Sequence, residues 1–93
     1  MNHPKYIVWE NDRGTYFATV FNPLVNHSEV QVQRAEAVSA GFFTFDAEGK
    51  VYTFGESISR NLKANTLFDD APLVVRALGL DPQENYRIAR DTY

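Results

Sequence analysis

The chain has 93 residues, 44% of them hydrophobic and 23% charged, with a formal net charge of -3 and no cysteine. That length holds one domain, 1–93, and a chain this apolar can bury enough surface to offset its ordering entropy. The missing cysteine excludes disulfide staples, thiolate zinc sites, iron–sulfur clusters and thiol nucleophiles, and the mild acidity argues against a general phosphate-neutralising nucleic-acid binder.

Residues 5–10 (KYIVWE) and 15–21 (TYFATVF) are rich in β-branched and aromatic types and predict two strands. Between them, Asn11-Asp12-Arg13-Gly14 supplies Asx chemistry and a cheap positive-φ position, so the two strands make a hairpin. Asn22-Pro23 ends the second strand, because proline cannot donate to a ladder. Ser28 with Gln31, or Asn26 with Glu29 one register earlier, fits a capping box and predicts a short helix over 28–35. The rival reading there is a strand, since 29–33 also alternates with period two.

Residues 37–45 and 50–54 predict a second hairpin around Asp46-Ala47-Glu48-Gly49. A register bringing Phe43 and Phe45 against Tyr52 and Phe54 would make an aromatic ladder, each pair contributing roughly 0.2–1 kcal/mol. A helix is expected over 70–78, with Asp69 and Asp70 at its N-terminus, Pro72 in its first turn and Gly79 ending it. Asp81-Pro82-Gln83-Glu84 reads as a further start signal and predicts a second C-terminal helix over 82–90. Two hairpins with two or three short helices give an α+β fold: a four-stranded, mainly antiparallel sheet with the helices packed on one face.

The stretches "HSEV", "VSAGFFTF" and "GKVYTFGESISRNLKANTLFDDAPLVV" are similar to small proteins encoded in bacteriophage and prophage genomes. The resemblance covers residues 27 to 75 and departs at Arg60, where an apolar residue is expected, and at Thr66-Leu67-Phe68, where a more polar approach to the helix is expected. It implies a phage setting and a compact α+β fold. It implies no activity, so it assigns no functional residue.

Gly55-Glu56-Ser57-Ile58-Ser59 resembles a nucleophile elbow only superficially, because Ser59 stands where glycine is needed and the fold lacks a parallel sheet. No base is placed beside Ser57, and His3 and His27 with scattered carboxylates form no metal-ligand constellation. No catalytic residue, metal or cofactor is therefore assigned. An anion cradle from Ser57, Ser59, Arg60 and Lys63 is the sharper reading of this stretch. The blander one is preferred: Gly55 lets the strand exit, a serine caps the following turn, Ile58 and Leu62 face inward, and both cations face water.

The one Trp, five Tyr and seven Phe fall mostly on the four strands and on both of their faces. With helices over one face, the other would present Trp9, Tyr16 or Phe17 outward. A homodimer or internal packing, a host or phage protein, and nucleic acid are the candidate occupants, in that order. The N-terminus lacks the regions of a signal peptide, and no apolar run is long enough to span a membrane. The expectation is a non-catalytic cytoplasmic protein of phage or prophage type that acts by protein–protein binding. The alternative is a nucleic-acid-associated factor using Arg60, Lys63, Arg76, Arg87 and Arg90 as a local basic patch.

Overall fold

The computed structural model describes residues 3–64, 70–81 and 84–86. Strands β1 (Lys5–Asn11), β2 (Tyr16–Phe21), β3 (Ala35–Phe45) and β4 (Val51–Phe54) form an antiparallel sheet in the order β2-β1-β3-β4. A separate two-stranded sheet pairs β5 (Glu56–Ser57) with β6 (Leu62–Lys63), and helix α1 spans Ala71–Ala77. The α+β class and the four-stranded sheet of two hairpins match the expectation. The second small sheet does not, and the described residues contain fewer helices than expected.

The two large hairpins turn by the same device. Asn11 Oδ1 accepts from the backbone N–H groups of Arg13 and Thr15, and Asp46 Oδ1 accepts from those of Glu48 and Lys50. Gly14 (φ +78) and Gly49 (φ +80) then supply the left-handed residue that closes each turn.

The helix expected over 28–35 is a single 3-10 turn, His27–Glu29, followed by extended chain. Asn26 caps it with no side-chain hydrogen bond, and its carboxamide donates to the Glu29 carboxylate instead. Neither expected capping box forms, since Gln31 donates to the Ser28 carbonyl, and a segment without an apolar face of its own does not extend a helix. Of the helix expected over 82–90, only 84–86 are described. There, Val51 N–H donates to the Asn85 carbonyl, and Tyr86 makes an isolated parallel bridge to Val51.

The aromatic ladder is shifted by one residue. Phe42 lies opposite Phe54 and stacks on it at 5.9 Å, whereas Phe43 lies opposite Thr53 and Phe45 opposite Val51. Because side chains alternate along a strand, Phe43 points to the other face of the sheet.

Each face has its own core. On one face, Tyr6, Val8, Phe43 and Val51 pack against Ala71, Val74 and Val75 of α1. Pro72 lies in the first turn of α1, and Gly79 (φ +81) follows its end, where Leu80 N–H bonds the Val75 carbonyl. The Asp70 carboxylate makes no cap hydrogen bond and instead accepts from the Tyr6 hydroxyl, tying α1 to β1. Asp69 lies outside the described residues.

On the opposite face, Ile7, Trp9 and Ala40 are buried under Phe17, Phe21, Val30, Val32 and Leu62. A β-bulge makes this second core possible. The β1–β3 register shifts between Val8↔Ser39 and Trp9↔Ala37, leaving Val38 unpaired and exposed. The extra residue turns Ala35 and Ala37 onto the Trp9 face, where their small side chains admit the covering segment.

Candidate functional site

Two places in the fold bear on function: the cover over the Trp9 face, and the outer edge of β2. The cover is built from residues 22–34 and from the turn joining β5 to β6. Asn22 Oδ1 accepts from Leu24 N–H at the start of the segment. At its end, Arg34 adopts a left-handed φ of 61 and its carbonyl accepts from Asp12 N–H.

Polar groups hold this segment down. Lys5 Nζ donates to the Val25 carbonyl at 2.9 Å. His27 is buried, with edge-on contacts to the Phe21 and Phe42 rings, and its Nε2 lies 3.0 Å from the Gly41 carbonyl. A carbonyl only accepts, so Nε2 carries the proton in this contact. Burial pushes the His27 pKa below the ordinary histidine value; the Gly41 carbonyl opposes that, the Lys5 and Arg60 charges reinforce it, and the Tyr6 backbone opposes it.

Arg60 closes the assembly from the other side. Its Nε donates to the His27 carbonyl at 2.8 Å, its Nη2 donates to the Val30 carbonyl, and its guanidinium carbon lies 5.2 Å from the centroid of the Trp9 ring. The β5–β6 turn aims it. Ser57 is buried and its hydroxyl accepts from Arg60 N–H, while Asn61 takes the left-handed position (φ 57) that carries the chain back to Leu62. Trp9 itself donates from Nε1 to Thr19 Oγ1 at 3.0 Å, so its one polar atom is satisfied beneath the cover. Beside Arg60 an open groove of ≈ 400 Å³ is lined by Ser28, Gln31, Glu36, Ala37, Ser59, Arg60 and Leu62. It carries both charge signs on an exposed rim and has no enclosed wall.

The sheet edges differ from each other. At β4, residues 84–86 bond and bridge Val51. At β2, no described residue pairs with the outer side. This strand has no charged residue and no proline, and its register with β1 runs unbroken from Lys5↔Phe21 to Glu10↔Tyr16. Edge strands are ordinarily blunted by lysine, proline or a bulge, because unpaired N–H and C=O groups template pairing with another chain. Strand β2 has none of these.

The residues singled out in the sequence are distributed accordingly. Trp9 is 2% exposed and Phe17 half-buried over it, so neither offers an open ring, whereas Tyr16 is 51% exposed at the start of β2. The aromatic sheet face is covered within the chain, which is the internal-packing alternative, and is not open to a partner. Ser57, Ser59 and Arg60 do come together, but Ser57 is buried as a turn cap, only Ser59 is exposed, and Arg60 points inward. The solvated helical turn expected there is a hairpin, with Leu62 half-buried and Ile58 88% exposed. Lys63 on β6 and Arg76 on α1 are exposed on separate elements, and Arg87 and Arg90 lie outside the described residues.

Sequence reasoning missed Lys5 and His27 as anchors of the cover. The only signal was a histidine inside a proline-containing loop, which does not distinguish a buried ring from an exposed one. No group of three or more potential metal ligands occurs among the described residues. No described helix is long and apolar enough to cross a membrane. Comparison of the chain with protein-family models, with curated proteins and with solved structures finds no match.

Proposed function

We propose that this is a non-catalytic binding protein of phage or prophage type that docks a protein strand on the outer edge of β2. The observation carrying this reading is the combination of two covered sheet faces with one regular, uncharged edge that no described residue pairs. Main-chain hydrogen bonds would supply affinity, and alternating side chains, Tyr16 foremost, would supply selectivity. The simplest occupant is β2 of a second copy. An antiparallel self-pairing of this strand meets no like-charge contact, because it carries no charge.

Light scattering on the eluting protein across a concentration series tests this directly. We expect reversible dimerisation that Tyr16→Lys abolishes without changing the far-ultraviolet spectrum. A wild-type monomer would remove the self-pairing occupant. In that case, a tagged pull-down from nuclease-treated host lysate should retain a stoichiometric protein that Tyr16→Lys loses. A catch that vanishes with nuclease would overturn the protein-binding reading in favour of a nucleic-acid partner.

A further inference from the structure

We propose that residues 22–34 are a proton-sensitive latch: protonation of His27 releases this segment from the Ile7–Trp9–Ala40 face while the sheet and α1 stay folded. Burial, two enclosing aromatic rings and two nearby cations disfavour a second proton on the ring, and the Gly41 and Tyr6 backbone groups, which favour it, offset this only in part. Its Nε2–H is committed to the Gly41 carbonyl, and two aromatic rings enclose it edge-on. Among the described residues, the charged groups that act on the ring are both cations, Lys5 from β1 and Arg60 from the β5–β6 turn. Strands β2 and β3 contribute Phe21, Phe42 and the Gly41 carbonyl, and β1 adds the Tyr6 backbone. On its own 3-10 turn, Glu29 is exposed and bonded to Asn26, and His3 sits edge-on against Phe54 beyond the Phe42 ring. Among the described residues, no carboxylate contributes to balancing an imidazolium there.

Opening would be local for a structural reason. The His27 and Val30 carbonyls are the acceptors that hold Arg60, and the Val25 carbonyl holds Lys5. Displacing the ring undoes these contacts together, and none of them involves α1 or the Tyr6–Val8 core. The sign follows from linkage. A histidine whose folded pKa lies below its unfolded value stabilises the closed form above about pH 6.5, and that contribution is lost as pH falls through 6.5 toward the folded pKa. Carboxylates titrate mostly below this window, at about 4.

The chain contains one tryptophan, and it lies under the latch, so it reports opening directly. Trp9 emission and the far-ultraviolet spectrum would be followed together from about pH 7.5 to about pH 5, bracketing the ordinary histidine value. We expect the emission to shift reversibly to longer wavelength with strand and helix signals unchanged. His27→Gln, which keeps an amide donor for Gly41 but cannot titrate, should remove the shift. Flat wild-type emission would overturn the proposal, as would a shift of the same size in His27→Gln. Should His27→Gln fail to fold, pulsed hydrogen exchange on the wild type decides. Selective loss of protection at Glu29 and Val30 on acidification supports the latch, and uniform loss or none refutes it. The readout is independent of β2 pairing, since a protein that never dimerises can still show it.

Discussion

The two faces of the sheet are covered by different physics. On the α1 face, a helix lays Ala71, Val74 and Val75 on Tyr6, Val8, Phe43 and Val51, and the cohesion is mainly apolar area, with one buried hydrogen bond from Tyr6 to Asp70. On the Trp9 face, the cover has almost no regular structure and is pinned by Lys5, His27 and Arg60 to backbone carbonyls. Burial by area is cooperative and involves no titrating group. Burial under a few charged hydrogen bonds can be undone locally, without unfolding the sheet. Among the described residues, one short helix thus closes one face, and a segment pinned by polar contacts closes the other.

Gly41 belongs to both halves and should give the largest effect. A Cβ there would sit 2.5 Å from the Phe54 carbonyl oxygen, and the Gly41 carbonyl is also the His27 acceptor. We expect Gly41→Ala to destabilise by about 3 kcal/mol, measured by urea denaturation, with both faces disturbed. Val74→Ala removes fully buried area from the α1 face alone and should cost about 2 kcal/mol, with native Trp9 emission unchanged before the transition.

Arg60→Ala should sharpen the contrast. We expect a stability loss of about 1–2 kcal/mol, moderated because the side chain is only half-buried. Trp9 emission should move to the red while α1 amides keep their protection. An equal loss of protection in α1 would mean that the faces are not separable. The smallest effect is expected at Thr53→Val. The Thr53 hydroxyl is buried with no hydrogen-bond partner among the described residues, so removing it should raise stability by about 1 kcal/mol.

What could be read in the sequence was what local chemistry decides. Asn11 with Gly14 and Asp46 with Gly49 dictate their turns whatever surrounds them, and Pro72 with Gly79 brackets α1 in the same way. Ile7 and Trp9 face one way and Tyr6 and Val8 the other, as strand alternation requires, because β1 has a regular register with β2. Period-two counting failed along β3, where the bulge at Val38 reverses the facing of Ala37 and Ala35. Arg60 was read as solvated because isolated cations on turns usually are. Its inward position depends on Trp9 and on two carbonyls of a distant loop, which no local pattern encodes. The capping box at Ser28 was outvoted for the same tertiary reason: the segment is worth more as a cover than as a helix.

Residue-resolved amide exchange under low, increasing denaturant tests the contrast between the two faces most directly. We expect the N–H groups of Val25, Glu29 and Val30 to exchange through a denaturant-insensitive local opening, while Val74 and Leu78 in α1 exchange only through global unfolding. A single opening free energy and denaturant dependence shared by both sets would contradict it.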